Sequence, residues 1–265
     1  MKHFTVSIGL AAVLAASPGA FGVTIGSDLD NLLPIPNTLT VDGQSVDLSQ
    51  YIQFLDKQSE EPVEPGTPAL ISIPTTTFTV GGSDGALITL SGSGDTDPFF
   101  ALALGFTDLG APSSFAVLVD VPINPPLDDV IVDASHSYSW SSPNTDISLS
   151  GGFVGGTTAV FGVDSGVNLF PTHFLGSGFS DSGTPLFSGN EGPFDGGDVA
   201  VDCTAVFFGA PCDTMFIGFA GTGSGNGATY SFNGVINVRQ VPEPASIVLI
   251  GLGLLGLAAR RKRAS

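Results

Sequence analysis

From residue 68 onward, apolar and polar positions alternate in short runs broken by Gly, Pro, Asn and Asp. In 130–140, Val130, Val132, Ala134, His136, Tyr138 and Trp140 share one face, while Asp133, Ser135, Ser137 and Ser139 take the other. In 230–238, Tyr230, Phe232, Ile236 and Val238 oppose Ser231, Asn233 and Asn237. Period two with one polar face marks a half-buried antiparallel strand. The same reading predicts strands over 69–80, 86–92, 99–107, 114–121, 129–140, 146–154, 157–163, 199–208, 214–221 and 228–239. That many short strands fit an all-β fold, an antiparallel β-sandwich or jelly roll. No repeat of fixed length is visible, which argues against a propeller or solenoid.

The remaining segments read differently. Residues 23–66 form a lead-in. Asp47, Gln50, Tyr51, Phe54 and Leu55 there predict one short helix with a capping pattern, and 60–66 an extended acidic, Pro-rich linker. The β-sandwich ectodomain is expected over 67–240. Within it, 176–198 reads as a long polar loop, and loops of that length often carry function. A chain with 36 Gly and 19 Pro is rich in turn formers, which suits many short strands.

Charge narrows the function classes. The chain has 25 acidic residues and seven basic ones, for a formal net charge of −18. Five basic residues lie in the two end segments, 1–22 and 241–265; between them only Lys57 and Arg239 remain, against 24 carboxylates. A body without clustered Lys and Arg has no means of neutralising nucleic-acid phosphates or clamping a phosphoryl group. Its natural counter-ions are divalent cations, Ca²⁺ or Mg²⁺.

Both ends read as addresses. Residues 1–22 combine Lys2, an uncharged stretch from Phe4 to Ala16 and a small-x-small pattern at Ala20–Gly22, as in a secretory signal peptide with an N-terminal signal helix. At the other end, Val241-Pro242-Glu243-Pro244 precedes 15 apolar residues, Ala245 to Ala259, and then the basic stop Arg260-Arg261-Lys262-Arg263. Fifteen residues rise about 22 Å as helix, short of the roughly 20 residues that span a bilayer comfortably. A short C-terminal apolar helix with a basic stop suits transient tethering, with the basic cluster on the cytoplasmic side. The alternative is an ordinary C-terminal membrane anchor.

This three-part tail resembles the PEP-CTERM sorting signal of Gram-negative bacteria, a kind of tail also labelled an ice-binding protein C-terminal domain. The resemblance covers 241–265. It implies processing by an exosortase after export through the secretion translocon and cleavage by signal peptidase. It further implies transient inner-membrane tethering, then a place at the cell surface or in an exopolysaccharide matrix. The ectodomain is therefore expected to be a non-enzymatic structural or interaction protein, with exopolysaccharide as a candidate partner. The alternatives are a carbohydrate-binding or Ca²⁺-dependent adhesion module, or a secreted hydrolase.

Candidate chemistry is thin. Cys203 and Cys212, nine positions apart in an exported chain, are expected to form a structural disulfide. Such a loop stabilises by roughly 2–3 kcal/mol in the chain-entropy picture. Asp95 with Asp97, and Asp195 with Asp198, are candidate Ca²⁺ ligands through hard oxygens, although Asp also collects in turns. Asp128 and Asp129 form a third acidic pair. No catalytic residues are assigned. Gly81-Gly82-Ser83-Asp84-Gly85 matches G-x-S-x-G, but a strand follows it where a nucleophile elbow needs a helix. The His136, Tyr138, Trp140 stripe reads as core; its alternative is a surface for stacking sugar rings. Thr75-Thr76-Thr77 with Thr79 is one short Thr run, common on exposed strand faces.

Overall fold

The computed structural model describes residues 36–57, 62, 69–82, 85–143, 146–165, 169–182 and 187–241. The expected signal peptide, Ser83, Asp84 and the tail beyond Val241 lie outside these residues.

Fifteen strands are described: β1 (Thr38–Val41), β2 (Gln44–Asp47), β3 (Gln53–Asp56), β4 (Ala69–Val80), β5 (Ala86–Asp95), β6 (Phe99–Asp108), β7 (Ser114–Leu127), β8 (Asp129–Ser142), β9 (Asp146–Gly151), β10 (Thr157–Asp164), β11 (Leu169–Ser177), β12 (Phe179–Ser182), β13 (Phe187–Asp202), β14 (Cys212–Thr222) and β15 (Thr229–Gln240). They build two antiparallel sheets packed face to face. The first runs β11-β10-β14-β7-β1-β2, with β9 joined to the end of β14 and β12 beyond it. The second runs β13-β8-β15-β6-β5-β4-β3. The chain is an all-β sandwich.

Alternation places the core. Along β8, Val130, Val132, Ala134, His136 and Tyr138 are buried, and along β15 Tyr230, Phe232, Ile236 and Val238 are buried. Trp140 is half-buried and packs against the core. The expected core stripe therefore faces inward. Rings then meet across the gap between sheets. Phe115 of β7 lies 4.4 Å from Phe106 of β6, and Phe219 of β14 lies 5.5 Å from Phe232 of β15. Gly234 opens room for this layer, since a Cβ there would lie 2.9 Å from the Phe219 ring.

Three expectations need correction. Among the described residues the lead-in has no α-helix. Asp47 instead accepts from the Ser49 amide at 2.9 Å and starts a single 3-10 turn, Ser49–Tyr51. The strands β1, β2 and β3 around it join both sheets. The strand predicted over 199–208 stops at Asp202, whose carboxylate accepts from the Ala205 amide at 2.8 Å and caps a short helix, α1 (Cys203–Val206). The segment 176–198 contains β12 and most of the edge strand β13 rather than a long loop.

The third correction has a steric cause. Gly189 pairs with Trp140, and a Cβ there would lie 2.4 Å from the indole. Gly196 sits on His173, with a Cβ only 2.0 Å from its ring. These glycines leave room for large neighbours on a paired strand. The two register shifts of β13 fall between Glu191 and Phe194 and between Asp195 and Asp198.

The edges of the two sheets meet along this strand. His173 of β11 donates from Nε2 to the Gly197 carbonyl at 2.9 Å, while its Nδ1 accepts from the Thr172 hydroxyl at 2.8 Å. The Tyr138 hydroxyl lies 2.8 Å from the Ser177 carbonyl and 2.7 Å from the Glu191 carboxylate. At the far end, buried Asp108 accepts from the amides of Ser113 and Gly225, each at 3.0 Å, and ties two loops together. The disulfide Cys203–Cys212 forms as expected, with Cα atoms 5.5 Å apart. It closes the loop that holds α1.

Gly196→Ala should cost about 1–3 kcal/mol through overpacking against His173. Gly105→Ala, where a Cβ meets nothing closer than 3.6 Å, should be neutral or stabilising. Urea denaturation of the two variants checks this, and equal losses would refute it.

Candidate functional site

The outer face of the second sheet is where the sequence leaves polar groups unused by the core. Register aligns them in rows across six strands. One row reads Asn190, Ser139, Ser231, Gly105, Thr89, Thr77. The next reads Ser188, Ser141, Thr229, Thr107, Leu87, Thr79. Neighbouring hydroxyls approach each other, with 3.2 Å between Thr107 and Thr229 and 3.4 Å between Thr77 and Thr89. Six strands span about 24 Å at the usual interstrand spacing. Neither row contains a charged residue.

At the β13 end these rows dip into a shallow concavity of about 410 Å³. Ser139, Ser141, Ser188, Asn190, Thr229 and Ser231 line it, with Trp140 and Gly189 at its floor. The Trp140 indole packs on Phe179 at 4.2 Å, and its N–H is buried with no partner among the described residues. The site offers hydroxyl and amide groups in a fixed spacing. Such groups exchange hydrogen bonds with other hydroxyl-rich molecules and offer little to an ion.

The two expected pairs of cation ligands lie well apart on the second sheet. Asp198, Asp133 and Asn237 follow in one row, and Phe99 then leads to Asp95. Four strand steps separate Asp198 from Asp95, about 19 Å. Asp95 pairs with Lys57 at 2.7 Å and also accepts from the Asp97 amide at 2.9 Å. Asp195 accepts from the Gly197 amide at 2.8 Å, and Asp198 pairs with Arg239. The two basic residues of the body thus each meet one of the four expected ligands. Among the described residues, no three His, Cys, Asp or Glu side chains come together closely enough to hold a metal ion.

Sequence reasoning missed a different acidic group. Asp120 on β7 and Asp213 and Thr214 on β14 each have a buried side-chain oxygen without a hydrogen-bond partner among the described residues. Burial, reinforced by the negative charges of Asp164 and Asp213, pushes the Asp120 carboxyl up to about 6. Burial also raises Asp213. The signal in sequence was faint: Asp120 interrupts the apolar run Phe115–Ile123, which otherwise reads as a strand buried on both faces.

His136 is not exposed chemistry. Its Nδ1 donates to the Asn233 carbonyl and its Nε2 accepts from the Thr158 hydroxyl, both at 3.2 Å. Phe219 lies 5.4 Å from its ring and Tyr138 5.6 Å. Burial pulls its pKa down to about 4, so it is neutral in the fold. Gly81, Gly82 and Gly85 lie in the turn between β4 and β5, which pair as a hairpin from Val80 and Ala86. A strand follows the G-x-S-x-G match, as the sequence predicted. Val241, the residue after β15, donates its amide to the Asp129 carbonyl at 3.0 Å.

This is a β-sandwich whose C-terminus leads directly into a sorting tail. The model of the PEP-CTERM protein-sorting motif matches residues 240–263. The chain thus carries a PEP-CTERM sorting motif at its C-terminal end, and that motif indicates export and processing by an exosortase. No curated protein matches the chain. One solved structure, from work on the promiscuous specificity of carbohydrate-binding modules of the β-sandwich superfamily, is similar at 9% identity and a TM-score of 0.20. That similarity covers 78% of this chain and 94% of the other. Among the described residues no helix is long and apolar enough to cross a membrane. The apolar stretch Ala245–Ala259 and the basic stop lie outside them.

The buried titrating groups oppose one another. His136 has a folded pKa below its unfolded value near 6.5, so the unfolded chain gains the proton first and stability falls as pH drops from about 6.5 to about 4. That window is worth about 3 kcal/mol. Asp120 has a folded pKa above its unfolded one, so stability rises as pH drops from about 6 toward 3.8. His136→Gln should therefore gain stability relative to the parent as pH falls through this window, and Asp120→Asn should lose it. Urea midpoints at pH 7, 5.5 and 4.5 read the two slopes; parallel curves for parent and variants would refute the assignment.

Proposed function

We propose that this chain is a non-enzymatic component of the cell surface or exopolysaccharide matrix, and that the outer face of its second sheet associates with neutral polysaccharide. The observation that carries this reading is the pair of uncharged hydroxyl-rich rows at one end of this face, ending in the concavity, on a body that is otherwise strongly acidic. A glycan is a chain of hydroxyls without charge, and rows of Ser, Thr and Asn at strand spacing match it group for group. Individual hydrogen bonds of this kind contribute only about 0.5–1.5 kcal/mol net, so affinity comes from many weak contacts along a polymer.

The same face disfavours two other ligands. Anionic polymers are repelled by the surrounding carboxylates. Within the concavity, aromatic stacking, a common way to hold a sugar ring, is not offered, because Trp140 turns its indole toward Phe179. The exposed Phe99 lies on the same face but outside both hydroxyl rows. The sorting tail supplies the route. Exosortase processing would leave the acidic body at the surface or in the matrix, after a brief stay at the inner membrane on the apolar tail.

Retention of the exported protein on columns of neutral matrix polysaccharide tests the reading. The double variant Ser139→Phe, Ser231→Phe fills the concavity from two exposed-face positions and should lower retention about tenfold or more, with an unchanged melting temperature. Absence of retention for the parent protein on every neutral polysaccharide would sink the glycan reading. The routing is read separately, by mass spectrometry of the mature C-terminus. A chain still ending in the Arg260–Ser265 segment, in cells with active exosortase, would overturn it.

A further inference from the structure

One end of the sandwich gathers the finish of β7, β13 and β15 and the start of β8 and β14. There Asp202 pairs with Asp129, Gln240 with Val130 and Cys212 with Leu127. Two amides land on neighbouring carbonyls, Cys203 on Asp128 at 2.8 Å and Val241 on Asp129 at 3.0 Å. The disulfide loop 203–212 and the start of the sorting motif, matched over 240–263, are therefore neighbours. Pro242, Glu243 and Pro244 follow Val241 in sequence. Covalent geometry alone keeps them within about 11 Å of it. An enzyme that grips this segment must stand against this end of the body.

The disulfide loop presents one unusual group there. Phe208 is 92% exposed, whereas the next most exposed large apolar residue among those described, Val154, is 51% exposed. Local geometry builds that exposure in. The Gly209 amide closes α1 on the Thr204 carbonyl at 2.7 Å, which leaves Phe208 just past the cap residue Phe207 with a φ of 55°. Glycine ordinarily takes that left-handed position, and a bulky residue there is strained. Phe207 is the ring that serves the core, buried and 6.3 Å from Phe170. The disulfide fixes the loop at both ends. Strain held in an exposed, covalently closed loop points to a contact made outside the fold.

We infer that Phe208 is the anchor by which the folded body docks on the exosortase that processes its tail, entering an apolar pocket beside the enzyme's grip on Pro242–Pro244. The occupant follows from position and charge. Thr204–Pro211 contains no charged residue, while Asp128, Asp129, Asp202 and Asp213 bracket the loop. The pocket is therefore apolar with a neutral or basic rim. The same carboxylates disfavour an anionic lipid surface. An aromatic side chain seated in a desolvated pocket often carries much of an interface's affinity. A second attachment beside the motif also raises the enzyme's effective concentration at the tail. The inference rests on exosortase processing of the tail and is independent of what the hydroxyl face binds.

Pulse–chase of the full-length chain in cells with active exosortase tests it, reading loss of the Arg260–Ser265 segment. Phe208→Gly should slow that loss about tenfold, with a melting temperature at or above the parent's, because glycine suits the left-handed position. Phe208→Tyr should be processed at close to the parent's rate. Val154→Ser removes an exposed apolar side chain near the opposite end of β14, where Gly151 pairs with Gly221, and should leave the rate unchanged. A benzoylphenylalanine crosslinker at position 208 should capture exosortase. A parent that keeps its tail overturns the routing, and this inference with it. With the parent processed, an equal rate for Phe208→Gly overturns the docking alone. So does equal slowing by Val154→Ser, a lowered melting temperature for Phe208→Gly, or a crosslink that reaches only lipid, polysaccharide or the chain itself.

Discussion

Phe106 meets Phe115, Phe219 meets Phe232, and the ring of His136 stands among Tyr138, Phe194, Phe219 and Phe232. This aromatic layer between the sheets is the contact on which the rest of the structure depends. Aromatic side chains bury large areas and add favourable ring geometry. They also commit the inner face of every central strand. With the inner faces used, polar residues at alternate positions have only the outside to occupy. The hydroxyl face of the second sheet is thus the other half of the same constraint, set by the two-residue period of the strand.

The layer explains where glycine is tolerated. A glycine inside a strand ordinarily weakens it. Gly234 and Gly189 lie in paired strands because large rings, Phe219 with Phe161 in one case and Trp140 in the other, occupy the space a Cβ would need. Each glycine is lost propensity in exchange for a closer contact. His136 is part of the same interior. Buried and neutral, with both ring nitrogens bonded, it joins β8 to β15 and β10, and its cost appears only when pH falls.

This is why some of the fold was readable in sequence and some was not. β8 and β15 were legible because their inward positions are large and apolar and their outward positions polar. β4 came out with its observed limits because punctuation bounds it on both sides. β13 was illegible: Gly189, Gly192, Gly196 and Gly197 look like loop composition when the residues that Gly189 and Gly196 accommodate, Trp140 and His173, lie 23 or more positions away. The lead-in strands were hidden by brevity, since four residues carry too little alternation to register. For the candidate site the difficulty was of another kind. Asp95, Asp97, Asp195 and Asp198 stood out as chemistry, yet three of the four spend an oxygen on a local turn or an ion pair. The hydroxyl rows stood out as nothing, because no single Ser or Thr is informative until register aligns six strands.

Charge then separates the roles of the two ends and the body. Most of the cations lie in the N-terminal segment and the sorting tail, and the two left in the body are each engaged by a carboxylate of the second sheet. A body so short of cations has few ways to attract anything by opposite charge except cations themselves. Its acidic surface keeps it soluble and apart from anionic neighbours. Specific contact must then be made where charge is absent, and the two hydroxyl-rich rows of the second sheet are such a place.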